Sequence, residues 1–286
     1  MADATRGPAG PHDGLPPINA EHSQRGWDLR FEWGADGLAA VGPGAATVVV
    51  VDVLRFTSAV SVAVGRGAEV LPYAWRMDDA ARAYAAAHDA ELAGWREHGG
   101  WSLSPTDLAR IPAGSRLVLP SPNGSALAFA ARDVVPDAAV LAGCLRNAAA
   151  VAAVAAERAG PVAVVAAGER WRGSRGALRP SVEDLLGAGA VLRALRSGLA
   201  VGAGVGAVRR EPTVSPEGRV AIAAFEAARH DLGAWLADTA SGRELVAIGF
   251  GDDVQAAAVL DAEEVAPVLH GAAFAGVAPC GSGPLH

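Results

Sequence analysis

The chain has no lysine. All 24 of its basic residues are arginine. A Walker A loop needs a lysine on its phosphates, so a P-loop nucleotidase is excluded. Schiff-base chemistry needs a lysine amine, and protein-kinase chemistry needs a strand lysine; both are excluded too. A phosphate held here must be gripped by guanidinium groups, backbone amides or a metal. Cysteine is nearly as scarce. Cys144 and Cys280 can build neither a disulfide framework nor a cysteine-rich zinc site, and Cys144, in an apolar stretch, reads as a buried free thiol. Aromatic residues make up only 5% of a chain that is 51% hydrophobic. The apolar surface is therefore Ala, Val and Leu, which suits helices on a buried parallel sheet better than an aromatic-rich sandwich. No charge-free apolar run approaches the roughly 18 residues of a membrane span. The net charge of -7 argues against nucleic acid as a partner.

What is present is an alternation. Thr47-Val-Val-Val-Val ends in Asp52 and leads into a helix from Thr57 to Gly65. Further strands are expected at 68–73, 116–119, 138–142 and 161–166. Helices are expected at 77–93, 123–132, 147–158, 181–196, 216–238 and 254–260. Strands alternating with helices predict a three-layer α/β/α fold with a mostly parallel sheet. Its length of 286 residues fits one large domain or two small ones. The expected layout is a disordered tail over 1–26, one domain over 27–275, and a flexible C-terminal tail over 276–286. The polar first residues have no apolar signal-peptide core, so a cytoplasmic location is expected. A homodimer is left open.

Ligands of such sheets bind beyond the carboxyl ends of the strands, where loops enter helices. That rule selects Asp52–Ser58, Ser121–Ser125, Gly143–Asn147 and Ala167–Arg170. Asp52 can hold a divalent cation or accept loop amides. Arg55 can bind a phosphate bidentately or form a surface ion pair. Thr57 and Ser58 can cap the next helix or face an anion. Asn123 can cap a helix, while Gly124 and Ser125 can offer amides to an anion, with Ser121 beside them. Ser181-Val-Glu183-Asp184 is a capping-box-like helix start, or else supplies a metal ligand or general base. Asp252 and Asp253 suit a helix dipole, and His230 reads as structural. Gly202, Gly204 and Gly206 form a weak glycine-rich loop with no clear helix behind it.

Taken in order, these junctions resemble the 2-phosphosulfolactate phosphatases, the ComB-like proteins. The resemblance rests on Asp52-Val-Leu-Arg55-Phe-Thr57-Ser58, Ser121-Pro-Asn123-Gly124-Ser125, Gly143-Cys-Leu-Arg-Asn147, Ala167-Gly168, Ser181-Val-Glu183-Asp184 and Gly249-Phe-Gly-Asp-Asp253. It runs from about Thr47 to Leu269. Gly94-Trp95-Arg96 and Leu103-Ser104-Pro105 stand where family members show Gly-Glu-Arg and Asn-Ser-Pro. The resemblance implies a Mg2+-dependent phosphatase that turns 2-phospho-3-sulfolactate into 3-sulfolactate in coenzyme M biosynthesis. On that basis Asp52, Glu183 and Asp184 are the expected metal ligands and, with Arg55, the catalytic set. Thr57, Ser58, Arg96, Ser121, Asn123, Gly124, Ser125, Asn147 and Arg170 are the expected phosphate and substrate contacts. The alternatives are a non-catalytic binder of small anions on the same fold, a phosphatase for another phosphoacid and, on the glycine loop alone, a nucleotide-dependent oxidoreductase.

Overall fold

A computed structural model describes residues 20–74, 78–96, 99–171, 173, 176–199 and 210–280. The glycines at 202, 204 and 206 and the expected helix start at Met77 lie outside them. In chain order the strands and helices are β1 (Leu29–Trp33), α1 (Gly34–Val41), β2 (Thr47–Val51), α2 (Phe56–Gly65), β3 (Glu69–Ala74), α3 (Asp79–Ala87), β4 (Glu91–Leu92), α4 (Pro105–Leu108), β5 (Arg116–Ser121), α5 (Gly124–Val134), β6 (Ala139–Gly143), α6 (Ala148–Ala156), β7 (Val162–Ala166), β8 (Glu169–Arg170), β9 (Leu178–Arg179), α7 (Val182–Leu199), α8 (Pro216–Ala228), α9 (Leu232–Asp238), α10 (Ala240–Ala247), α11 (Gly251–Ala257), β10 (Ala266–His270) and β11 (Ala273–Val277).

The valines of β2 explain the layering. A strand of β-branched residues with no polar face must be covered on both sides, and every residue of β2 is buried. Val49 and Val51 pack with β7 residues Val162 and Val164 against α6, α7 and α8. Val48 and Val50 pack with Ala163 and Val165 against α1 and α5. The period of two in the strand thus sorts one run of valines into two cores. In the middle layer, nine strands run in the order β1-β7-β2-β6-β10-β11-β3-β5-β4. The steps β1–β7, β7–β2, β2–β6, β3–β5 and β5–β4 are parallel. The β10–β11 hairpin joins the two parallel blocks through three antiparallel steps.

Three antiparallel steps reverse direction, so the two blocks run in opposite senses. Their carboxyl ends nevertheless meet: the Gly124 amide after β5 donates to the Asp52 carboxylate after β2 at 2.7 Å. The loops after β2 and β5 both line one crevice. Helix α7 presses on this layer through glycines. A Cβ on Gly187 would fall 2.5 Å from Val53 Cγ2, and one on Gly189 would fall 2.1 Å from the Ala221 carbonyl oxygen. Glycine in a helix interior costs about 1 kcal/mol relative to alanine; here it buys contact with β2 and α8.

Several boundaries differ from expectation. The helix expected over 77–93 stops at Ala87 after an Asp78 cap, and Asp89 turns the chain at φ 49°. The chain then extends as β4 along β5. The helix expected over 216–238 is two, because Asp231 caps a second one through the Ala234 amide. Strands β1, β10 and β11 add to those expected. Order also reaches past the expected tails. Gln24 is buried and exchanges hydrogen bonds with the Phe31 backbone, and the Cys280 amide donates to Glu157. Cys144 is a buried free thiol, as expected.

Candidate active site

The loop after β2 is built around its own first residue. Thr57 Oγ1 donates to the Asp52 carbonyl (2.8 Å) and accepts from the Asp52 amide (3.0 Å). Ser58 Oγ donates to the Val53 carbonyl (2.8 Å). Both hydroxyls are buried, so they shape the turn from beneath and cap no helix. The Asp52 carboxylate accepts the Gly124 amide on Oδ2 and, more weakly, the Phe56 amide on Oδ1 at 3.3 Å. Its position 5% exposed at the base of a cavity disfavours the charged form. Burial, then the charge of Glu169, pushes its pKa up to about 7, with Glu183 adding to the shift and the two amides opposing it.

Arg55 reaches over the same cavity and is fixed from behind. Its Nη1 donates to Asp253 Oδ2 at 2.8 Å, and its guanidinium lies 4.5 Å from the Phe250 ring centroid. Asp253 is fully buried. Its other oxygen accepts the Ser104 and Thr106 hydroxyls at 2.6 Å each. Arg96 lies 5.3 Å from the Phe250 centroid and pairs with Asp107 at 3.2 Å. Phe250 is thus an aromatic spacer against which two guanidiniums rest.

The facing wall comes from the loop after β7 and the β8–β9 ribbon. Asn123 stands at the N-cap position of α5 but makes no side-chain cap. Its Nδ2 donates instead to Glu169 at 3.0 Å, and the Arg170 amide donates to the same carboxylate oxygen. Arg170 itself donates to the Gly176 carbonyl. Arg179 donates to Ser241 at 3.0 Å. The cavity between these walls measures about 960 Å³, and Asp52, Arg55, Arg96, Asn123, Glu169 and Arg170 all line it.

Of the residues expected from sequence, the cavity is also lined by Ser121. The others form a supporting layer. Ser125 Oγ sits among the Tyr73 and Ser121 carbonyls and the Ser121 amide. Asn147, fully buried, bridges the Cys144 amide and the Ala142 carbonyl. Asp184 accepts the Val53 amide (2.7 Å), the Gly168 amide (2.9 Å) and the Ser181 hydroxyl (2.8 Å). It therefore ties the loops after β2 and β7 to the start of α7. Burial raises its pKa well above the carboxylate range, and Asp52 and Glu183 raise it further. Glu183 is 2% exposed and its Oε2 has no hydrogen-bond partner. Glu169, Phe250 and Asp253 also join the site; they lie in the 167–170 junction and the Gly249–Asp253 motif selected from the sequence, without having been named there as site residues. Glu169 follows a strand end much as Asp52 does, which is a usable signal. Asp253 resembles dipole matching because its partner is 198 residues away. His230 is exposed and is not among the residues lining the cavity.

A family model described as 2-phosphosulpholactate phosphatase matches residues 40–272. The chain belongs to the 2-phosphosulfolactate phosphatase family. The name of that family is that of a phosphoric monoester hydrolase. A protein of Parasynechococcus marenigrum (strain WH8102) named "Probable 2-phosphosulfolactate phosphatase" is 31% identical over 249 residues, which is 83% of this chain and 93% of that protein. The family match spans both halves of the site, from α1 to the β10–β11 hairpin.

Within this family member the Arg55–Asp253 pair is a sharp test of the anion site. In Asp253→Asn the amide oxygen can still accept from Ser104 and Thr106, so the fold is kept. The charge that pins Arg55 is lost, however, and a hydrogen bond to a charged group contributes roughly 1.5–3 kcal/mol. Affinity for inorganic phosphate, measured by calorimetry, should weaken by about tenfold or more. Unchanged affinity would mean that Arg55 does not hold the anion.

Proposed function

We propose that this protein is a Mg2+-dependent phosphatase for a small acidic phosphoester, with 2-phospho-3-sulfolactate as substrate and 3-sulfolactate and phosphate as products. The observation that carries the reading is the Asp52–Arg55 turn. There a buried carboxylate with a near-neutral pKa and a pinned guanidinium share one cavity, in a chain that the family model covers. The reading brings with it a place in coenzyme M biosynthesis and a cytoplasmic location. No described helix is long and apolar enough to cross a membrane.

The residues fit a magnesium ion. Asp52, Glu183 and Asp184 are buried near one another, the charges of Glu169 and Glu183 act on Asp52, and Glu183 Oε2 lacks a partner. Among the described residues no three acidic, His or Cys groups form a ready cage. Magnesium does not need one, since it keeps several waters and takes one or two carboxylates plus substrate phosphate. Asp52 and Glu183 would hold it, with Asp184 committed to the loops. When bound, the ion supplies charge neutralisation at the phosphoryl oxygens and a more acidic water.

The protein's own groups do the rest. Arg55, fixed by Asp253 and Phe250, binds the phosphoryl oxygens and stabilises the charge they carry in the transition state. Arg96 stands ready for the carboxylate or sulfonate. Glu169, oriented by Asn123 and the Arg170 amide, accepts a proton from the attacking water. The water oxygen bonds to phosphorus and the ester P–O bond breaks. The departing oxygen takes its proton from solvent, leaving alcohol and phosphate.

Phosphate release from 2-phospho-3-sulfolactate should require Mg2+ and stop in EDTA. A second readout is thermal: Mg2+ should raise the melting temperature of the parent and leave that of Asp52→Asn unmoved. A folded protein that releases no phosphate while still binding the compound would instead be a non-catalytic anion binder.

A further inference from the structure

The cavity has a second chemical character that a wholly anionic substrate does not use. Trp95, Trp171 and Ile248 line it while remaining 53%, 57% and 62% exposed. Leu103 and Leu245 line it beside them. Exposed large apolar side chains are ordinary when scattered, but several lining one cleft mark a binding surface. Their backbone is anchored. The Gly94 amide, just before Trp95, donates to the Trp101 carbonyl at 2.8 Å. The Trp171 amide donates to the Ala177 carbonyl at 3.1 Å on the β8–β9 ribbon. Ile248 closes α10 through the Glu244 carbonyl at 3.2 Å. Arg179 lies 6.0 Å from the Trp171 ring centroid. The volume, about 960 Å³, is at the upper end of the roughly 300–1,000 Å³ that holds drug-sized ligands. A three-carbon phosphoacid is far smaller than such ligands.

We propose that the site accepts phosphoesters of hydroxy acids that carry a flat apolar side group, with the phosphate at Arg55 and the side group against Trp95 and Trp171. This rests on the phosphatase reading above. Trp95 and Trp171 are then specificity-determining residues. They act on the part of the substrate that does not react, and they choose among phosphoacids with the same ester bond.

The test compares 2-phospho-3-phenyllactate with 2-phospholactate. The two share the hydroxy-acid leaving group and differ in the phenyl ring. In the parent, kcat/KM with Mg2+ should favour the phenyl compound by about tenfold or more, the scale expected for burying a ring against aromatic side chains. Trp95→Ala and Trp171→Ala should each cut that ratio severalfold. Both positions are exposed, so the variants will fold. A parental ratio near one, or a ratio indifferent to both substitutions, overturns the proposal. If neither compound releases phosphate while 2-phospho-3-sulfolactate does, the inference is overturned; if none of the three releases phosphate, the phosphatase reading fails, and calorimetry with the same two compounds decides the inference. Tighter binding of the phenyl compound that is lost in the tryptophan variants upholds it, and equal binding overturns it.

Discussion

Asp52→Asn should lose turnover by on the order of a hundredfold to a thousandfold, because it removes a carboxylate that would hold the ion offsetting charge on the phosphoryl oxygens. The same substitution should make the protein more stable above neutral pH. The sign follows from the shift. On folding, the Asp52 pKa rises from 3.8 to about 7. Between those values the folded chain holds a proton that the unfolded chain has released, so unfolding becomes easier as pH rises through the window and levels off above it. Asparagine has no charge to bury and keeps an oxygen for the Gly124 amide. The penalty it removes is on the order of a few kcal/mol, or several degrees in a chain of this size. Melting in EDTA should show a small difference between variant and parent near pH 4, widening in favour of the variant by pH 8. A difference flat in pH would mean that Asp52 bears no such burden, and turnover close to parental would remove it from the chemistry.

The same pairing of cost and use explains what is readable in the sequence. The β2 segment leaves little choice: Thr47 opens a run of four valines that only a doubly covered strand can bury. The junction rule then leads directly to Asp52, Arg55, Asn123 and Arg170, all of which line the cavity. The β10–β11 hairpin is hidden because Ala266-Pro-Val-Leu-His and Ala273-Phe-Ala-Gly-Val mix proline, glycine and alanine into short strands, which weakens any period of two. Local rules also assign short polar groups to the wrong partners. Asn123 has the chemistry of a cap, yet its amide serves Glu169. Asp253 has the position of a dipole partner for its own helix, yet it serves Arg55. In both cases a contact between distant segments outweighs the local one, and a single sequence carries no signal of such distance.

The supporting layer makes a different point. Thr57, Ser58, Ser125, Asn147 and Asp184 suggest an anion site because hydroxyls, amides and carboxylates at strand ends suit charged ligands. They bind backbone amides and carbonyls instead. Loops folded tightly at the ends of buried strands leave many backbone groups without ladder partners, and those groups must be satisfied in place. A polar junction motif is therefore shared between residues facing the ligand and residues facing the chain. Side-chain length does not separate them: the short Asp52, Ser121 and Asn123 line the cavity with the arginines and Glu169, whereas Thr57, Ser58 and Ser125 stay under it.

Gly124→Ala is expected to disable the site without replacing a functional side chain. A Cβ at this position would fall 2.5 Å from Phe56 Cδ1, 2.6 Å from Asp52 Oδ2 and 2.8 Å from Asp52 Cβ. The glycine is needed for close approach: its amide donates to the carboxylate at 2.7 Å, and a methyl group would lodge between the two. Relief elsewhere is limited. Phe56 is fully buried with its ring edge-on to Phe274, centroids 6.5 Å apart, and Ser125 locks the turn behind Gly124 through the Ser121 backbone. The carboxylate is the group with open space in front of it, so Asp52 should move. A shift near 1 Å at a reacting centre costs about a hundredfold in rate, and overpacking of this kind costs roughly 1–3 kcal/mol of stability. The decisive measurement is a double-mutant cycle on kcat. If Gly124→Ala acts by displacing Asp52, it should cost little further activity in an Asp52→Asn background. Equal and additive losses in both backgrounds would show that the methyl group harms the site by another route, and that the Asn-Gly step exists for the fold rather than for the placement of Asp52.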